Sequence, residues 1–192
     1  MVETDILFRK AVESDSKFIC KAVLAALGIA DFIADNDKDG ADVLTLLNDV
    51  VLMDDTLYSV RNTLVAEVDG VCAGCIIAYD GGRYEDMRKK TSTMLNAQWK
   101  QYYENTEAET RAGEYYLDTL AVDPKFRHKG IGRQLIYQAL ETGEALGFDI
   151  ASLLVLASDN GLRAMYSSCG FKADRNVRCF DNEYLRMVSI LH

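Results

Sequence analysis

The hydrophobic pattern of the chain changes abruptly on either side of its only proline, Pro124. Residues 115–122, before the proline, form a run of apolar and aromatic residues that is typical of a β-strand. From Gly130 to about Leu146, apolar residues recur at the spacing of one face of an α-helix. A strand that leads through a proline turn into an amphipathic helix favours a sheet with helices packed on it over an all-α or all-β fold.

Similar patterns predict further strands and helices. Asp69-Gly70 separates two β-rich runs and predicts a two-residue hairpin, because both turn positions of such a loop need a positive φ. The predicted strands are 5–11, 63–68, 71–79, 115–122, 150–156, 171–180 and 184–190. The predicted helices are one capped by Ser14 and Asp15, one after an acidic loop at 35–42, and others at 84–108, at 130–146 and up to about Ser168. This order predicts an α/β (α+β) fold with a mixed sheet, in a single domain over residues 1–192.

The composition disfavours several classes of protein. With 49% hydrophobic and 27% charged residues, the chain resembles an ordinary soluble globular protein. A formal charge of −9 disfavours nucleic acid and anionic membranes as partners. The N-terminus lacks a signal-peptide pattern, and five cysteines without a disulfide framework predict reduced thiols in a cytoplasmic protein. Cys72 and Cys75 have a zinc-type spacing, but no second pair or nearby histidine completes a site, so we expect no metal.

A small basic segment interrupts this acidic chain. Between Asp123 and Arg133, four basic residues against one acidic residue give a charge of +3, so the rest of the chain carries −12. The segment lies where a helix is predicted to begin, and a first helical turn presents unpaired N–H groups and the positive end of the helix dipole. Gly130 and Gly132 leave those N–H groups accessible to a bulky anion. The segment therefore predicts a diphosphate-binding loop, although a loop glycine with solvated basic residues is the alternative.

Two motifs carry a resemblance to a known family. Leu120-Ala-Val-Asp-Pro-x-x-Arg-x-Lys-Gly-Ile-Gly132 resembles the pyrophosphate-binding motif of the GNAT superfamily of acyl-CoA-dependent N-acetyltransferases. The segment from Ser158 to Phe171 resembles the second motif of that superfamily, Asn…Ala…Tyr…Gly-Phe. The specific match covers about residues 115–171. The resemblance implies a GNAT fold, with a sheet of about seven strands that is flanked by helices and splayed between the fourth and fifth strands.

The same resemblance implies an activity and a set of site residues. It implies transfer of an acetyl group from acetyl-CoA to a primary amine of a small molecule or peptide. The backbone of Leu120, Ala121 and Val122 would pair with pantetheine, Asn160 would contact the pantetheine arm, and Tyr166 would act as general acid near the thioester sulfur. The N–H groups of six consecutive residues, together with the Arg127 side chain, would hold the pyrophosphate: His128, Lys129, Gly130, Ile131, Gly132 and Arg133.

Other roles rest on chemistry and stay open. An attacking ammonium must lose a proton, and Asp118 is the candidate base or amine anchor, with a solvated carboxylate as the alternative; Glu114 and Glu67 are weaker candidates. Asn160 lies six residues before Tyr166, whereas the family pattern has seven. This departure supports the alternative function, a non-catalytic acyl-CoA-binding module or sensor with the same fold. The sequence also leaves open a protein that only keeps the fold for interactions, and a homodimer.

Overall fold

The computed structural model describes residues 5–28, 37–95, 107–179 and 182–192, and in them one seven-stranded sheet. The strands are β1 (Ile6–Lys10), β2 (Thr63–Val68), β3 (Val71–Asp80), β4 (Glu114–Val122), β5 (Ile150–Leu156), β6 (Lys172–Cys179) and β7 (Asn182–Ile190). Their order in the sheet is β1-β2-β3-β4-β5-β7-β6. Only β4 and β5 pair in parallel, so the sheet is mixed, as the sequence predicts.

Helices cover both faces of the sheet. They are α1 (Ser16–Ala26), α2 (Asp37–Leu52), α3 (Tyr84–Met94), α4 (Ile131–Ala145) and α5 (Asn160–Ser168). One face packs against α4, whose buried Leu135 and Ile136 belong to the larger apolar core. The other face packs against α1, α2 and α3, which contribute Ile19, Val50 and Met87 to a second core. No helix in the described ranges is both long enough and apolar enough to cross a membrane.

Three local predictions are wrong. The predicted acidic loop at 35–42 is helical from Asp37, where α2 begins, because acidic residues are favourable in a first helical turn; residues 35–36 lie outside the described residues. The third helix ends at Met94 rather than at 108, because Leu95 is extended, and residues 96–106 of this prediction also lie outside the described residues. Asp15 precedes α1 but its carboxylate does not cap that helix; it accepts instead from Arg9 and from the Val12 N–H.

The two central strands separate soon after they meet. Glu114–Tyr116 of β4 pair with Ile150–Ser152 of β5, and the remaining residues of β4 pair only with β3. The predicted splay between the fourth and fifth strands is therefore confirmed, and it leaves an open edge on β4 from residue 117 to residue 122. The predicted hairpin is confirmed as well, since Asp69 and Gly70 have φ values of 51° and 77°.

Candidate active site

The open edge of β4 presents backbone groups that no strand of the described residues uses. The N–H of Asp123 donates to the carbonyl of Ala73 in β3, at 2.9 Å. Successive N–H groups of a strand alternate in direction, so those of Leu120 and Val122 point away from β3 and toward the open edge. An extended ligand could therefore pair with β4 in the position that β5 vacates.

The anion loop, defined as residues 127–133, lies at the start of α4. Gly130 is the residue before the helix, with a left-handed φ of 82°, and His128 has a φ of 62°. No group in the described parts of the chain accepts a hydrogen bond from the N–H groups of residues 128–133. Residues 127–130 are exposed. Six consecutive free N–H groups at the positive end of a 15-residue helix form a strong electrostatic site for an anion.

Close packing places this anion loop against the open edge. A Cβ on Gly74 of β3 would lie 3.0 Å from the carbonyl oxygen of Ala121 and 3.3 Å from Ile131, so only glycine lets the start of α4 approach so closely. On the other side, Val122 lies 3.6 Å from the place of a Cβ on Gly132. The Nε of Arg127 donates to the Val122 carbonyl at 3.2 Å. The structure therefore brings the two predicted halves of the cofactor site together.

Tyr166 lies on α5 and packs toward the same core as α4. Its ring meets Phe171 edge to face, with 6.0 Å between the ring centroids. Burial raises the pKa of Tyr166 to about 12, with smaller contributions from Cys169 and Asp159. In the described ranges no group hydrogen-bonds to its hydroxyl, which stays protonated at neutral pH and free to donate a proton.

Asn160 is the first residue of α5, and the sequence did not predict its hydrogen bonds. The preceding residue, Asp159, caps the helix by accepting from the Leu162 N–H at 2.8 Å. The Asn160 side chain is exposed, and its Oδ1 accepts from Arg163 at 3.3 Å. Its contact with pantetheine stays a prediction.

Asp118 is an extra residue in β4. Thr119 pairs with Ile77 and Leu117 with Ala78, so Asp118 forms a β-bulge between them. Its carboxylate accepts from the Tyr79 hydroxyl at 2.5 Å and from the Thr119 hydroxyl at 2.8 Å. Burial raises the pKa of Asp118, although both hydrogen bonds act in the opposite direction.

A second carboxylate, Glu109, lies near Asp118 and was missed by the sequence analysis. It accepts from the Tyr116 hydroxyl at 2.6 Å and from the Tyr84 hydroxyl at 3.1 Å. Burial and the negative charge of Asp118 raise the pKa of Glu109 to about 7. No sequence signal distinguishes this glutamate from its neighbours, because its partners come from distant segments. We call Tyr79, Tyr84, Glu109, Tyr116 and Asp118 the acid–tyrosine cluster.

The two weaker candidates are engaged elsewhere. Glu114 is 2% exposed and accepts from Arg186 at 2.5 Å and from Ser152 at 2.8 Å. Burial raises the pKa of Glu114, but these hydrogen bonds outweigh it and the net shift is downward. Glu67 accepts from Arg9 at 2.9 Å. The ion pair of Glu114 links β4 to β7 and that of Glu67 links β2 to β1, so both carboxylates hold strands together.

Cys72 and Cys75 lie in β3, where Cys75 is buried and Cys72 is half-buried. Burial raises the pKa of Cys75 to about 12, and the Cys72 thiol donates to Asp15 at 3.2 Å. Over the described ranges, no group of three or more His, Cys, Asp or Glu side chains could hold a metal ion.

Comparison with known proteins identifies the family. The family model described as Acetyltransferase (GNAT) family matches residues 42–171. A solved structure described as an acetyltransferase shares 26% identity at a TM-score of 0.77, covering 97% of this chain and 100% of its own. An N-acetyltransferase from Staphylococcus aureus Mu50 shares 24% identity at a TM-score of 0.79, covering 95% of this chain and 99% of its own.

A more distant structure, the NatC complex bound to Gag peptide and CoA, resembles this chain in fold alone. It shares 14% identity at a TM-score of 0.55, covering 98% of this chain and 99% of its own. No curated protein sequence matches this chain. The family match spans more than half of the chain and includes β4, the anion loop and α5. The chain belongs to the GNAT family of acetyltransferases.

Proposed function

We propose that the protein transfers an acetyl group from acetyl-CoA to a primary amine of a small molecule or peptide. The observation that carries this proposal is the contact between the open edge of β4 and the anion loop. An acyl-CoA has an extended amide-containing arm joined to a pyrophosphate. The open edge offers backbone hydrogen bonds to the arm, and the anion loop offers six free N–H groups to the pyrophosphate.

The residues present fit this donor. Leu120, Ala121 and Val122 would hold the pantetheine arm like an added strand. The side chain of Arg127 and the N–H groups of the anion loop would hold the diphosphate, where charged hydrogen bonds are strong. Asn160 would contact the arm if the hydrogen bond that its Oδ1 accepts from Arg163 were replaced by a hydrogen bond to the arm.

The chain's own groups supply the remaining steps. The amine nitrogen attacks the thioester carbonyl, and a fixed N–H such as that of Val122 stabilises the developing oxyanion. The Tyr166 hydroxyl, which is protonated at neutral pH, donates its proton to the departing thiolate. Asp118 holds the incoming ammonium or takes its proton.

The proposed reaction belongs in a cytoplasm. All five cysteines are free, which suits a reducing compartment. The acidic net charge suits a cationic acceptor. A single domain over residues 1–192 and a homodimer remain predictions.

Calorimetric titration with acetyl-CoA tests the donor site. We expect micromolar binding by the native protein and a loss of at least about tenfold in Arg127→Glu, because the variant replaces a cation beside the diphosphate with an anion. Arg175→Glu is the matched control, since Arg175 is exposed on β6 and the charge change is identical. Absence of heat at millimolar acetyl-CoA would overturn the proposal.

One observation favours the alternative, an acyl-CoA-binding module without turnover. Asn160 points to Arg163 rather than standing free, in keeping with its shortened spacing to Tyr166. Release of free CoA thiol in the presence of a panel of primary amines separates the two functions. Binding without release for any amine would support the module.

A further inference from the structure

The acid–tyrosine cluster joins four separate segments on the face of the sheet opposite α4. Tyr79 comes from β3, Tyr84 from α3, Glu109 from the segment before β4, and Tyr116 and Asp118 from β4. The Tyr79 and Tyr116 rings lie 5.7 Å apart, and the Tyr84 and Tyr116 rings 6.5 Å apart. All three tyrosines are at least 97% buried, and each hydroxyl donates to one of the two carboxylates.

Within the described ranges, the two carboxylates have no cation at ion-pair distance. No ion pair between described residues includes Asp118 or Glu109. The described titratable groups that interact with Glu109 are Tyr79 on β3, Asp118 and Tyr116 on β4, Tyr84 and Arg88 on α3, and Cys179 on β6. Arg88 pairs with Glu85 and lies over the Tyr84 ring, and its charge lowers the pKa of Glu109 by less than burial and Asp118 raise it. Two desolvated like charges titrate as a pair, and one of them retains a proton to higher pH.

Asp118 lies on the open edge of β4, next to the residues that are proposed to bind the acyl donor. The bulge at Asp118 immediately precedes Thr119 and Leu120, where the predicted donor-binding backbone begins. Helices pack on both faces of the sheet, but Asp118 is only half-buried, so a ligand at the open edge can contact it. A bulge that directs a side chain toward a site is a recurrent feature of active-site strands.

We propose that Glu109 and Asp118 form one proton-accepting pair, aligned by the three tyrosines, which takes the proton that the acceptor ammonium loses. This inference rests on the proposed function and assigns Glu109 as a positioning residue that acts through Asp118. The ammonium gives one proton to the pair, and the freed nitrogen forms the C–N bond while the C–S bond breaks. The thiolate takes the Tyr166 proton, the attacking nitrogen loses its second proton to water, which restores Tyr166, and the proton on the pair passes to solvent.

The pH dependence of turnover tests the pair. In the native protein, kcat/KM should fall as the pH drops below about 7, where Glu109 takes up a proton and only the weaker base of the pair stays ionised. In Glu109→Gln, Asp118 lacks its like-charged neighbour, so we expect this acid limb to move at least about one pH unit lower and the plateau rate to fall about tenfold. The titration of the amine itself is common to all variants and cancels in the comparison.

The control and a second measurement make the test specific. Glu107→Gln changes an exposed glutamate two residues away and should leave the acid limb in place. Carboxyl ¹³C NMR of the native protein should show one glutamate resonance with a midpoint near pH 7 that is missing in Glu109→Gln. A midpoint near the ordinary value of about 4.3, or turnover with an unshifted acid limb in Glu109→Gln, overturns the role of Glu109. Failure of every amine to release thiol would instead overturn the proposed function, whatever the NMR titration shows.

Discussion

The anion loop and the acid–tyrosine cluster lie on opposite sides of β4 and are built in opposite ways. The anion loop is a contiguous run of seven residues, and most of its binding groups are backbone N–H groups. The cluster gathers side chains from four segments that are far apart in the sequence. The anion loop is positive, whereas the cluster is negative and contains a glutamate whose pKa is raised to about 7.

This difference separates two properties of the protein. The anion loop should control donor affinity, and the acid–tyrosine cluster should control the pH dependence of the reaction. Substitutions in one should leave the property of the other unchanged, because the two sites bind different parts of the reacting system.

The largest effect is expected for Tyr166→Phe. Tyr166 packs against the same core as α4, the helix that follows the anion loop. We expect kcat to fall about 100-fold or more, since the variant cannot protonate the thiolate, while acetyl-CoA affinity and the acid limb of the pH profile stay unchanged. Steady-state kinetics and calorimetry measure both quantities. Tyr137→Phe, on an exposed tyrosine of α4, is the control. An unchanged kcat would remove Tyr166 from the mechanism.

A smaller effect is expected for Gly130→Asp in the anion loop. The carboxylate would repel the diphosphate, so we expect acetyl-CoA affinity to fall about 30-fold, roughly 2 kcal/mol, with no shift in the pH profile. Gly147→Asp is a matched control, because Gly147 also has a left-handed φ, of 86°, but follows the opposite end of α4. Equal losses in both variants would show that backbone strain, rather than charge at the anion loop, causes the effect.

The smallest effect concerns stability. Because the pKa of Glu109 is raised to about 7 in the folded protein and is about 4.3 in an unfolded chain, the folded protein retains a proton that the unfolded chain has lost between these pH values. The free energy of unfolding should therefore decrease as the pH rises from about 4.5 to 7. The two pKa values set an upper bound of about 3 kcal/mol, and the partial exposure of Glu109 reduces the expected difference from Glu109→Gln to about 1 kcal/mol. Urea denaturation at several pH values measures this difference. Parallel curves for the two proteins would contradict a raised pKa.

The contrast between the two sites also explains what could be predicted. The order of strands and helices, the hairpin at Asp69-Gly70 and the basic loop before α4 follow from local patterns, and the structure confirms these elements. The two motifs indicated a family that the comparison confirms. The limits of α2 and α3 were wrong because propensity near helix ends is weak and packing decides where a helix stops.

The sequence by itself determined the elements whose function depends on neighbouring residues: the strand, the turn and the helix start that together present free N–H groups. Only the tertiary structure decided which carboxylates meet. Glu114 and Glu67 pair with arginines, whereas Glu109 joins Asp118 among buried hydroxyl groups. The physical reason is that a free N–H is a property of the local backbone, while the proton affinity of a carboxylate depends on burial and on charges brought near it by the fold.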